Sequence, residues 1–199
     1  RSTPLYSQEA SDVYKRQMLY EQFTRLENKK AYPIIESNTK EAIADAEHLT
    51  PQGDFDFIFF DLPGTLNNVD LIHTLARMDY IIAPIAADRV VMESTLDYMV
   101  TVRDDIMGSG KSDIKEIYML WNLVDGREKS ELYEVYEAVI NELEFTTLNT
   151  FIPNSLRFRR EQSVSHKALF RSTLFPVDKS LVKGSNIDTL SDELLEILK

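Results

Sequence analysis

The 199-residue chain has 43% hydrophobic and 28% charged residues, an ordinary globular balance, and a formal net charge of -11. It contains no cysteine, which excludes disulfides, cysteine-ligated zinc, iron–sulfur centres and thiol nucleophiles. The acidic excess excludes a protein that coats nucleic acid over its whole surface, and no apolar run reaches bilayer-spanning length, so no membrane partner is expected.

Residues 1–17 (RSTPLYSQEASDVYKRQ) show no period. Their segment DVYKRQ back-translates to a sequence resembling a transposase adapter used in sequencing libraries, so they read as a non-native or disordered leader. From residue 18 the chain alternates helical and strand patterns. Met18–Asn28 reads as a helix, Ala31–Glu36 as a proline-bearing edge strand, and Thr39–His48 as a helix. Phe55–Asp61 (FDFIFFD) reads as a buried strand ending in a carboxylate. Helix Asp70–Met78 leads to strand Tyr80–Ile85, and helix Glu93–Met107 to strand Glu116–Asn122. Helix Ser130–Leu143 precedes a fourth strong strand, Thr147–Ile152, and Leu190–Leu198 closes the chain as a helix. Near-continuous apolar strands between amphipathic helices predict an α/β domain, a mostly parallel sheet with helices on both faces, spanning residues 18–199.

Asp105–Ser112, DIMGSGKS, ends like a phosphate-binding loop. Such a loop needs a strand before it and a helix after it, so that the helix N-terminus points its free N–H groups at the phosphates. Here the order is reversed, Asp105 stands where the motif wants glycine, and Asp104 and Asp105 would repel a phosphate. The glycines read as a helix C-terminus and turn.

The more informative stretch is Phe59–Leu66, FFDLPGTL. An aspartate ending a buried parallel strand sits where such sheets bind ligands. Three chemistries could use Asp61. A haloacid-dehalogenase-type phosphatase carries D-x-D-G-T-L, which Asp61, Gly64, Thr65 and Leu66 match; its second acid is Pro63 here, which cannot protonate a leaving group. A response-regulator receiver also needs an acidic pair after its first strand and a lysine ending its last, and neither has a convincing counterpart. In a P-loop ATPase the aspartate holds magnesium through its water shell, and D-x-P-G forms a turn that senses the terminal phosphate, with Gly64 presenting a backbone N–H.

The segments FDFIFFDLPGTLNN, MDYIIAPIAADRVVMESTLDYM, WNLVDGREKSELYEVYEAVI and FIPNSLRFRRE follow one another in this chain as in ParA/MinD-type ATPases. With FRSTLFP and LVKGSN near the C-terminus, the resemblance is closest to the ParA-like TraA proteins of conjugative transposons. It implies Asp61 as the magnesium-side acid and Pro63 with Gly64 in the switch turn. Asn122 would hydrogen-bond adenine, with Asp125 on the following loop, and Pro153 would pack backbone against the base. Glu93 and Ser94 would fall on a dimer-facing side. The implied cofactors are ATP and Mg2+. The implied partners are a second copy when ATP is bound, non-specific DNA, and a ParB-like or conjugation protein, all in the cytoplasm. The absence of cysteine speaks against the iron–sulfur carriers of the family, and the acidic last helix against its membrane-binding positioners.

The family pattern begins with a strand, a K-G-G-x-G-K-T loop and a second strand whose terminal aspartate positions the attacking water. None of these is found here. The expectation is therefore a C-terminal part of an ATPase domain that does not hydrolyse ATP by itself. Its sheet would also leave apolar surface uncovered. From Arg157 to Lys183 seven basic residues face two acidic ones, a local charge of +5. Arg157, Arg159, Arg160, Lys167 and Arg171 are accordingly candidate DNA-phosphate contacts, a solvated charged face being the alternative.

Overall fold

The computed structural model describes residues 35–49, 55–127, 130–155 and 182–198. Its elements in chain order are helices α1 (Ala42–Leu49) and α2 (Val69–Ala76), strand β1 (Tyr80–Ile85), and helix α3 (Arg89–Thr101). Strand β2 (Glu116–Trp121), helix α4 (Ser130–Glu142), strand β3 (Thr146–Thr147) and helix α5 (Ile187–Ile197) follow. The three strands form one parallel sheet in the order β1-β2-β3. The chain is thus α/β. None of the described helices is long and apolar enough to cross a membrane.

The ladder between β1 and β2 runs from the pair Tyr80–Glu116 to the pair Ile85–Trp121. Alternation along β2 buries Ile117, Met119 and Trp121 and leaves Glu116, Tyr118 and Leu120 half-covered. One face of the sheet is therefore sealed more completely than the other, which is less than the two-sided burial its apolar strands predict. The sealed side joins Leu71 and Leu75 of α2, Met92, Leu96 and Met99 of α3, and Ile140 of α4 into a single core. Trp121 packs edge-on against Tyr133, ring centroids 5.1 Å apart, and its indole N–H donates to Glu137.

Polar side chains set the helix starts. Asn68 caps α2 by accepting from the Asp70 N–H at 2.8 Å. Asn38 precedes α1, accepts from the N–H groups of Lys40 and Glu41, and donates to the Glu41 carboxylate at 2.7 Å, a reciprocal box that organises the first turn. Asp88 accepts from Val90 N–H and Val91 N–H, both at 3.0 Å. It therefore starts α3 at Arg89 rather than at the expected Glu93, because a satisfied pair of N–H groups outweighs the weak helix propensity of two valines.

The far end of α3 also departs from expectation. The helix widens to a π-turn over Val102–Ile106, tightens over Met107–Ser109 and stops at Gly110, whose φ of +67° is left-handed. A helix thus runs into the DIMGSGKS stretch and β2 follows it, as the sequence order required. Arg103 leaves the π-turn to donate to the Leu143 carbonyl and lies 4.9 Å from the Phe145 ring centroid. It so closes the open C-terminus of α4, where Glu144 takes φ +60°.

Two expected strands are corrected. Phe55–Asp61 forms no strand: its backbone pairs with no described strand, and Phe59 is 76% exposed. A strand exists only through its ladder, and apolar composition cannot supply one. The expected strand Thr147–Ile152 is reduced to Thr146–Thr147. Beyond it the chain keeps single bonds to β2, Leu148 N–H to Met119 O and Ile152 N–H to Trp121 O, both 2.8 Å. The Asn149–Thr150 turn between them gives its N–H groups to Glu193 of α5 instead. In the expected edge strand Ala31–Glu36, residues 31–34 lie outside the described residues, and Ile35 and Glu36 are not in a strand. The expected helix Met18–Asn28 also lies outside them.

Met119 is fully buried in the middle strand. Met119→Ala is expected to cost about 2–5 kcal/mol in urea unfolding, whereas Val135→Ala, at a 60% exposed helix position, is expected to stay within about 0.5 kcal/mol. Asp88→Ala is expected to cost about 1 kcal/mol through loss of the α3 cap.

Candidate functional site

All three strands are parallel, so their carboxyl ends meet at one edge of the sheet, the edge at which α/β folds place ligands. β2 ends at Trp121. Asn122 follows, its backbone N–H donating to Ile85 O at 2.7 Å and its Oδ1 accepting from Leu123 N–H at 2.9 Å. Leu123 takes the left-handed φ of 56° and turns the chain out of the sheet. Val124 then forms a parallel bridge with Pro153, with Val124 N–H to Ile152 O at 3.0 Å and Asn154 N–H to Val124 O at 2.8 Å. The structure therefore brings Pro153, distant in sequence, alongside the loop that carries Asn122 and Asp125.

Asp125 is engaged within its own turn. Its carboxylate accepts from Arg127 N–H at 3.0 Å, Arg127 Nε at 2.9 Å and the Arg127 terminal nitrogen at 2.6 Å. The guanidinium and backbone bonds from Arg127 hold its carboxyl well below the usual range, at about 2. Arg127 was not a sequence candidate. The D-G-R spacing carried the signal, since an aspartate commonly bonds the N–H two residues on in a turn.

Asp61, Pro63 and Gly64 occupy a different place. They line a cavity of about 960 Å3 along the outer edge of β1, with Ser94 and Tyr98 of α3 on its wall. Asn122, Asp125 and Pro153 are not among its lining residues. Ile85 O accepts from Asn122 N–H and Asp79 O accepts from Lys115 N–H, so the backbone groups of residues 79, 81, 83 and 85 point toward β2. By alternation the backbone groups of Tyr80, Ile82 and Pro84 point to the opposite, cavity-side edge. Pro84 has no N–H to offer there, while the backbone groups of Tyr80 and Ile82 face outward as a ladder edge does. Gly64 is exposed, with nothing within 4 Å of where a Cβ would stand.

Glu93 pairs with Arg89 at 2.8 Å on the solvent side of α3. Among the described residues no three of His, Asp and Glu gather as a metal-binding group. Arg157, Arg159, Arg160, Lys167 and Arg171 lie outside the described residues. A scan against protein-family models and a search of curated proteins returned no match.

The Asp125 carboxyl has a depressed pKa, so its ionised form is fully present above the ordinary 3.8 and is lost as pH falls toward about 2. Arg127→Ala is expected to return the midpoint toward 3.8, read from the side-chain carboxyl 13C shift. An unchanged midpoint would remove the Arg127 pairing.

Proposed function

We propose that this chain carries the magnesium side and the base side of a ParA/MinD-type nucleotide site, in a domain resembling the ParA-like proteins of conjugative transposons. The intact protein would be a cytoplasmic ATPase that dimerises on binding ATP and serves transfer or partitioning of mobile DNA. The observation that supports this best is the Val124–Pro153 bridge, which gathers Asn122, Asp125 and Pro153 at the carboxyl ends of a parallel sheet. A carboxamide can accept from the exocyclic amine of adenine and donate to a ring nitrogen. Asn122 spends one lone pair of Oδ1 on Leu123 and keeps the second.

The phosphate side rests on the cavity beside β1. In this reading that cavity receives the strand leading into a lysine-bearing glycine loop, supplied by residues upstream of position 18. Asp61 and Gly64 then flank the phosphates from the opposite wall. A carboxylate at this position would suit magnesium held through water. With ATP bound, Asp61 would hold the metal through water, and Gly64 would offer an N–H to the terminal phosphate. The basic segment with Arg157, Arg159, Arg160, Lys167 and Arg171 would add sequence-blind, salt-sensitive contacts to DNA, and a ParB-like or conjugation partner would govern hydrolysis.

The 199-residue chain is expected to release no phosphate from ATP in a malachite-green assay. Restoring the upstream reading frame should give turnover that Asp61→Asn lowers at least about tenfold. Turnover by the chain alone, or unchanged turnover in the variant, overturns the reading. Trapping of beryllium fluoride on Asp61 without nucleotide would instead place the site among aspartyl phosphoryl acceptors. Arg157→Glu with Arg159→Glu and Arg160→Glu should abolish gel-shift retention of DNA at low salt; unchanged affinity removes the DNA contact.

A further inference from the structure

The turn that follows β3 contains two consecutive backbone N–H groups, those of Asn149 and Thr150, aimed at one point. Successive N–H groups of this kind attract an anion, and the chain supplies one itself. Glu193 of α5 accepts from Asn149 N–H at 2.6 Å and the Asn149 side-chain amide at 3.1 Å through one oxygen. Its other oxygen accepts from Thr150 N–H at 2.8 Å. Burial pushes the Glu193 carboxyl up, but the bonds from Thr150 and Asn149 outweigh it and hold it below its ordinary value.

A second anchor lies close by, where the Asn186 amide donates to Phe151 O at 2.9 Å. No residue of α5 is fully buried, and these polar bonds tie the helix to the turn. After Phe151, the residues next along the chain from the clamped turn are Ile152, Pro153 and Asn154. They carry the bonds to Trp121 O, from Val124 N–H and to Val124 O that hold the two sides of the candidate base site together.

We propose that Glu193 is a positioning residue for that site. It locks the Asn149–Thr150 turn and thereby sets Pro153 against the Asn122–Asp125 loop. This rests on the adenine reading of Asn122 and Pro153, and the test separates the two. In the 15N-labelled full chain, Glu193→Ala should speed amide exchange about tenfold at Val124 and Asn154 as well as at Asn149 and Thr150, the scale of a lost charge-assisted bond. Ile117 and Met119 in the β2 ladder should keep their protection. Glu193→Gln retains one acceptor oxygen and should fall between.

Adenosine should shift the Val124 and Asn154 amides of the unaltered chain and bind Glu193→Ala at least about fivefold more weakly. Tripolyphosphate, which lacks a base, should shift neither amide in either form. Unchanged exchange at Val124 and Asn154 in Glu193→Ala, or unchanged adenosine affinity where the unaltered chain binds it, overturns the role of Glu193. If adenosine shifts nothing in the unaltered chain, the adenine reading falls, and the exchange rates alone decide whether Glu193 sets the loop.

Discussion

The six-residue parallel ladder between β1 and β2 is the constraint on which the rest of the structure depends. It buries Ala83, Ile85, Ile117, Met119 and Trp121 against α2, α3 and α4. It also determines which way every later segment leaves the sheet. Because both strands point the same way, Asn122 emerges beside Ile85, and the chain after β3 must come alongside β2 to satisfy Trp121 O and Val124. A one-residue slip would turn Met119 toward the half-covered face and break the Val124–Pro153 bridge at once.

The same ladder leaves a conflict on its other side. β1 is an apolar strand of the kind found inside parallel sheets, yet among the described residues it stands at the edge, where Pro84 blunts pairing. Across the cavity, Phe55–Asp61 has strand composition without a ladder. Both segments line the same cavity. The proposed function turns this local mismatch into an expectation about the segment that fills it.

What the sequence revealed and what it hid follow from range. β1, β2 and α4 were readable because continuous apolar runs and helical spacing are local signals, and β1 matches its expected bounds. The false phosphate loop was rejected on element order, which the structure bears out with the helix stop at Gly110. The early start of α3 was available in principle, since Asp88 followed by apolar residues is a cap signal. Phe55–Asp61 misled because strand formation is decided by a neighbour, not by composition. The short β3 misled because Glu193 lies 44 residues from Asn149 in sequence and no local pattern announces such a clamp. The Val124–Pro153 bridge has no local signal either, because it joins segments far apart in sequence.

Base selectivity tests the central claim most directly. Binding of ATP and of GTP should be compared before and after Asn122→Ala. A carboxamide that pairs with adenine makes the ATP preference collapse toward parity, with about 1–3 kcal/mol of discrimination lost. An unchanged ATP-to-GTP ratio would contradict the account, because the carboxyl end of β2 would then have no part in holding a base.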